Sequence, residues 1–370
     1  MRPAPAEKDI IFPLSDIPNR TAKGRMSRMN PKSNPAIVFT APGIAQVVSA
    51  PVPEPGPADV LVRTERSCIS SGTERANLVG DPMIGTNKKP DDPAVFPRHL
   101  GYSLCGIVEA AGPEVEGLKP GDRVAASWTK HQLFNVVNAR QVYKVPDGIS
   151  PEDAAWTHIA TFPMAALRKC RFEFGESVLV MGLGVLGQLA VKLARAAGAA
   201  PVLAGDPAPG KREIAPALGA DLALDPSAPD FADRAKEATG GGAKVVVEVT
   251  GVDRALDSAL DATARFGRVA LLGCTRHSAF AIDYYRKVHG RGVTLVGAHT
   301  MARPKFESSG GWWTERDDAQ AFLRMLSLGR VSLAGFTDEV HAVADAPGVY
   351  SRLAAGGPFP NVQFDWSAMA

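Results

Sequence analysis

Three glycines define the chemistry open to this chain. Gly182, Gly184 and Gly187 stand in the spacing G-x-G-x-x-G, with Leu183, Val185 and Leu186 between them. An apolar run, Val178-Leu179-Val180-Met181, leads in, and a helix-compatible apolar run, Gln188 to Ala197, leads out. Strand, tight turn and helix in that order bring bare backbone at a helix N-terminus up to a pyrophosphate. The group that fits is a nicotinamide or flavin dinucleotide. A second apolar run, Pro201 to Gly205, follows at βαβ distance and ends at Asp206, 19 residues after Gly187. An acid there accepts hydrogen bonds from the adenosine ribose hydroxyls and repels a 2′-phosphate, which favours NAD(H) over NADP(H). Lys211 and Arg212, a few residues on, are placed to stabilise a phosphate and pull the other way.

Further cofactor contacts follow from the same reading. Val249-Thr250-Gly251 closes one apolar run and Leu272-Gly273-Cys274 closes another. Both ends face the crevice at the carboxyl edge of a parallel sheet, where ligands bind. Thr250, Gly251, Gly273 and Cys274 are therefore candidates, with Gly251 and Gly273 allowing close approach of backbone. His299, after the run Val293–Gly297, is a candidate for the nicotinamide or the substrate.

Two kinds of domain must position these residues. Residues 36–160 carry short apolar runs broken by Pro/Gly turns such as Pro53-Glu54-Pro55-Gly56-Pro57 and Pro120-Gly121-Asp122, the pattern of a β-rich barrel or sandwich. Residues 161–302 alternate helix-compatible segments with apolar strands, the pattern of a doubly wound parallel sheet. Residues 303–370 hold one clear helix, Asp317 to Leu328, then strand near Asp338–His341, and are expected to return to the first domain. Residues 1–35 have seven Lys/Arg against three acids, several prolines and no apolar periodicity, and read as a loosely ordered extension.

Bulk properties bound the rest. The 370 residues are 45% apolar and 22% charged with net charge +2, which gives no field for nucleic acid or membrane. No apolar run approaches a membrane span. The four cysteines, Cys68, Cys105, Cys170 and Cys274, are scattered, which argues against a disulfide framework and fits a reducing cytoplasm.

The domain order resembles the medium-chain dehydrogenase/reductase superfamily. Gly121-Asp122-Arg123-Val124 is similar to its G-D-x-V turn, and Gly219-Ala220-Asp221 to its L-G-A-D step. His99-Leu100-Gly101-Tyr102-Ser103-Leu104-Cys105-Gly106-Ile107-Val108-Glu109 resembles its G-H-E-x-x-G-x-V-x-E segment. The resemblance covers roughly residues 36–370 and implies a GroES-like β-rich catalytic domain, a Rossmann cofactor domain and a homodimer joined through the edge of the cofactor sheet. It also exposes departures at the family's zinc ligands. Ser70 falls at the early cysteine, Tyr102 replaces the histidine and Ser103 the glutamate, and the later ligand falls near Thr157 or His158. Hydroxyls are poor ligands for an ion that prefers thiolate and imidazole. A shifted site of Cys68, His99 and His158 is the alternative, but no metal is expected. The run Ile69-Ser70-Ser71-Gly72-Thr73-Glu74 resembles the I-S-x-G-T-E element of a zinc-independent branch, which includes bacteriochlorophyllide dehydrogenase-like and sugar or polyol dehydrogenase-like members.

What the resemblance implies for catalysis is a hydride transfer run by hydroxyls. Donors must stabilise the developing alkoxide and a base must take the alcohol proton. Tyr102 is the candidate acid, Ser70 and Thr73 are candidate orienting donors, and His158 is the best-placed histidine. Each has a plainer role open to it: a packed ring, turn hydrogen bonds, a satisfied histidine at a domain junction. Trp312 and Trp313 are placed to roof a cleft or to close a core. The expected function is a zinc-independent, NAD(H)-dependent oxidoreductase acting on a secondary alcohol or ketone of a sugar, polyol or other hydroxylated metabolite. The alternatives are an NAD(P)H-dependent quinone or enoyl reductase of the same superfamily, and an NAD(H)-binding protein without turnover.

Overall fold

The computed structural model describes residues 33–84, 92–276 and 278–369; His277 and nearly all of the basic N-terminal stretch lie outside them. The β-rich part begins with β1 (Ser33–Ala41), β2 (Ile44–Pro51) and β3 (Asp59–Cys68), then helix α1 (Ser71–Leu78). It continues through β4 (Arg98–His99), β5 (Ser103–Ala111), β6 (Arg123–Ser127), β7 (Phe134–Asn138) and β8 (Val142–Lys144). In β3 the buried residues Val60, Val62 and Thr64 alternate with more exposed ones, so one face lies on the core.

Helices α2 (Pro151–Ala154) and α3 (Thr157–Lys169) lead to the second sheet. That sheet is β9 (Val178–Met181), α4 (Val185–Ala196), β10 (Val202–Gly205), α5 (Pro209–Leu218), β11 (Leu222–Leu224), α6 (Phe231–Thr239), β12 (Ala243–Glu248), α7 (Asp253–Ala262), β13 (Thr263–Leu271), α8 (Tyr284–Lys287) and β14 (Thr294–Gly297). All its strand pairs are parallel, in the order β11-β10-β9-β12-β13-β14. Order reverses between β9 and β12, which opens a crevice at their carboxyl ends. Strands β9 and β10 are buried at every residue, as continuous apolar strands covered on both faces must be.

After α9 (Glu315–Ser327) come β15 (Glu339–Ala342), α10 (Ala346–Ala355) and β16 (Val362–Asp365). Strand β16 pairs antiparallel with β3, so the last segment completes the first sheet, ordered β15-β16-β3-β5-β6-β8 with β7 also on β3.

The strands and the long helix expected from the pattern are present, and five strands, β2, β4, β7, β11 and β16, were not legible. Seven of the eight residues of β2 face solvent, so it carries no apolar signature. Strand β11 has three residues, and β7 has five, with asparagines inside and at its end. The boundary expected at residue 160 falls inside a helix: α3 passes unbroken through it, buried at nearly every position, and packs on α4 and α9.

Gly187 sits where α4 crosses β9, and a Cβ there would lie 1.7 Å from the Gly182 carbonyl oxygen. Helix and strand would have to part. Gly187→Ala should therefore cost about 2 kcal/mol or more, seen as a lower thermal midpoint together with loss of NADH binding. An unchanged midpoint would show that the contact has slack.

Candidate active site

The glycine turn is built for a dinucleotide. Gly182 has φ +96° and donates its N–H to the Gly205 carbonyl at 2.7 Å. Gly184 is the N-cap of α4 and opens on free space, and Val185 and Leu186 begin the helix with N–H groups that have no earlier carbonyl to meet. An anion seated over Gly184 meets those donors and the positive end of the helix. Asp206 is tied to the turn: its carboxylate accepts from Leu183 N at 2.7 Å and from Ala208 N at 2.9 Å. Arg212 is spent elsewhere, on the Asp206 and Pro207 carbonyls and on Asp225 at 3.2 Å. Lys211 reaches the Phe359 carbonyl at 3.4 Å. Thr250 gives its hydroxyl and N–H to buried Glu248, which also holds Gly251 N at 3.2 Å. A Cβ on Gly273 would lie 2.2 Å from Gly251 N, so the two strand-end loops touch through their glycines.

A cleft of about 790 Å³ lies beside this turn. Its wall brings together Leu186, Gly273, Cys274 and His299 from the cofactor side with Thr73 and Tyr102 from the β-rich side. His299 accepts from Met301 N through Nδ1 at 3.2 Å, which leaves Nε2–H to donate. Burial, with Lys169 and Arg276 nearby, lowers its pKa and keeps it neutral near pH 7.

Tyr102 donates its hydroxyl to Ser70 Oγ in a short hydrogen bond. Ser70 is free to accept because it does not cap its own helix. Glu74 reaches back instead and takes the Ser70 N–H at 2.9 Å. Glu74 is fully buried and accepts twice more, from Tyr350 at 2.5 Å and from His131 Nε2 at 3.2 Å. His131 Nδ1 then accepts from Ser67, whose oxygen accepts from Trp366 Nε1 at 2.9 Å. Every proton in this chain has one direction, which assigns the His131 tautomer. Burial pushes the Tyr102 phenol up to about 12, against hydrogen bonds with Ser70 and Thr73. Tyr102 is thus a donor at any ordinary pH.

His158 stands behind the cleft wall rather than in it. It is fully buried, and Tyr102, Trp128 and Phe162 present their rings edge-on to it at 5.2, 4.9 and 4.9 Å. Its Nδ1 lies 3.1 Å from Glu315 Oε1, close but poorly aligned for a hydrogen bond. The geometry makes it a group that acts through its neighbours, not one that touches substrate. Burial alone would raise the Glu315 carboxyl, but His158 and hydrogen bonds from Ser127 and Trp128 hold it at about 2.

The donor set does not suit zinc. Ser70 and Tyr102 satisfy each other, and Ser103, at the family's glutamate, donates to the Ala155 carbonyl at 2.5 Å. Cys68 is buried and accepts from Gln363 at 3.4 Å. Among the described residues no three His, Cys, Asp or Glu side chains come together to hold an ion, so the shifted set of Cys68, His99 and His158 is not assembled.

The family model described as alcohol dehydrogenase GroES-like domain matches residues 56–163, and the zinc-binding dehydrogenase model matches residues 185–312. The L-threonine 3-dehydrogenase of Thermococcus kodakarensis is 30% identical over 268 residues, 64% of this chain and 75% of that one. The chain belongs to the medium-chain dehydrogenase/reductase superfamily. Another relative in this superfamily, the D-guloside 3-dehydrogenase of Escherichia coli K12, is 26% identical over 344 residues, 88% of this chain and 98% of that one. Among solved structures, galactitol-1-phosphate dehydrogenase from Escherichia coli superposes with a TM-score of 0.76 at 20% identity, covering 90% of this chain and 99% of that one.

Against that superfamily frame, three residues at the site escaped the sequence reading. Trp128 and Phe162 line the cleft, and Glu315 closes on His158 and Trp128 from 157 and 187 residues away. Only the N-cap at Thr314 marks Glu315 locally, and it says nothing of a distant partner. Trp312 and Trp313 do not roof the cleft. They lie against Lys169 and Arg168 of α3 at 5.4 and 3.6 Å.

Glu315 titrates far below its usual 4.5, so its contacts stabilise the fold above pH 4.5 and are lost as pH falls towards 2. Glu315→Gln should lower stability at pH 7 and flatten acid unfolding between those values. Parallel acid-unfolding curves for the two proteins would contradict the pairing.

Proposed function

We propose that the protein is a zinc-independent, NAD(H)-dependent oxidoreductase. It moves hydride between the nicotinamide and a secondary alcohol or ketone of a sugar, polyol or other hydroxylated metabolite. The observation that carries this is Tyr102, hydrogen-bonded to Ser70 behind it, on the wall of a cleft that Leu186, Gly273, Cys274 and His299 also line. Asp206 tied to the glycine turn, with Arg212 engaged elsewhere, supports NAD(H). Relatives named as D-guloside, L-threonine and sorbitol dehydrogenases support a hydroxyl-bearing substrate. Four unpaired cysteines suit the cytoplasm, and β14 at the sheet edge offers a seam for a homodimer.

The bound nicotinamide supplies the hydride acceptor or donor. The chain supplies everything that meets the substrate oxygen. In reduction, Tyr102 gives its proton to the oxygen as negative charge develops there, and Ser70 and Thr73 orient the phenol. In oxidation, the phenolate form of Tyr102 takes the alcohol proton back. His299, with Nδ1 taken by Met301 N, would offer Nε2–H to the bound cofactor or to a second substrate oxygen. His158 and Glu315 set the charge behind the Tyr102 ring.

Tyr102→Phe should lower kcat about a hundredfold or more while NADH affinity stays nearly constant. A small change in kcat would remove Tyr102 from the chemistry. Because the phenol sits at about 12, alcohol oxidation should climb with pH without levelling below about pH 10, whereas a plateau near neutrality would point to another base. Protein purified without chelator should carry well under one zinc per chain. Stoichiometric, tightly held zinc, or a preference for NADPH with enones, would contradict the proposal.

A further inference from the structure

A second cavity, of about 850 Å³, adjoins the cleft. Trp128, Thr300 and Met301 line both. Trp128 stands at this boundary with φ +59°, a left-handed conformation that a bulky side chain seldom adopts. Its indole N–H is pinned to Glu315 Oε2 at 2.8 Å, so the surrounding contacts hold it there.

The annex wall has a distinct chemistry. Phe306 is 77% exposed and lies under the Arg140 guanidinium at 5.7 Å, and Trp128 is 39% exposed. Flat aromatic faces stand among planar polar groups, Arg140, Arg316, Gln141 and Glu307. The charges nearly cancel, with Arg140, Arg303, Lys305 and Arg316 against Glu307, Glu315 and Asp317. A phosphate or carboxylate tail would meet three carboxylates as well as four cations. A neutral ring with an apolar face and hydroxyls at its edge meets partners for both: aromatic rings for the face, and paired donors or acceptors for the hydroxyls.

We infer that the substrate has two parts, a glycoside whose oxidised ring occupies the cleft and whose second, uncharged ring occupies the annex, with the Trp128 indole between them. The position of the oxidised ring rests on the dehydrogenase reading above; the annex and its lining do not.

The test uses the full chain with NAD and matched sets of free hexoses, their methyl glycosides, their phenyl glycosides and their glycoside 6-phosphates. Phenyl glycosides should exceed the free hexoses in kcat/KM by about tenfold or more, and Phe306→Ala and Arg140→Ala should each shrink that ratio several-fold. Equal kcat/KM across the sets, variants that lower both members alike, or a preference for the phosphorylated glycosides would overturn the inference. If no hydroxyl compound reduces the cofactor, the dehydrogenase reading fails, and the annex is decided by titrating tryptophan fluorescence with phenyl glycosides in the presence of NADH. A saturable change lost in Phe306→Ala supports it, and no saturable change overturns it.

Discussion

A carboxylate with no access to water organises this active site. Glu74 is fully buried, and a charge in that position survives only if donors surround it. They come from three separate segments: the start of α1 through Ser70 N, the loop after β6 through His131, and α10 through Tyr350. Meeting Glu74 therefore fixes the S-x-G-T-E turn against the rest of the β-rich domain. It also releases the Ser70 hydroxyl from capping duty, and that hydroxyl is what Tyr102 binds. Removing any one donor would leave the carboxylate short at a cost of about 1–3 kcal/mol. The same turn would lose its hold on Tyr102.

The two halves of the site differ in how they are specified. The cofactor half is local: glycines within six positions, with an acid at the end of the next strand. Its geometry follows from backbone sterics, as the 1.7 Å approach at Gly187 shows, and from the Asp206 carboxylate on Leu183 N. The substrate half is assembled from distant segments, with Tyr102 from β5's approach, His158 from α3, and Glu315 from the start of α9. Its couplings are electrostatic and aromatic, and they carry no spacing.

This difference explains what could be read in advance. The parallel sheet and the glycine turn at the end of β9 were legible, since each depends on a short motif or on a strand pattern. Glu315 and Trp128 were not, because their roles exist only after folding places them on one imidazole, whereas Phe162 stands one helical turn from His158 on α3 and went unread. His158 was legible as a residue near the site but not as a buried one. Its surroundings come from its own helix and from three segments far from it in sequence, at Tyr102, Trp128 and Glu315. Lys211 illustrates the converse: a cation near Asp206 in sequence reaches a carbonyl of the other domain in space.

The zinc-binding name of the matching family model and the donor set of this chain pull in different directions. Where relatives of that description would offer thiolate and imidazole, this chain offers two hydroxyls already bonded to each other and a histidine paired with a carboxylate. The most direct measurement is a crystal structure of the full chain with NADH and a bound ketone or alcohol, with diffraction recorded across the zinc edge. The account predicts the substrate oxygen within about 3 Å of Tyr102 Oη and no anomalous scatterer between them. A metal ion coordinating that oxygen, or a substrate held away from Tyr102, would contradict it.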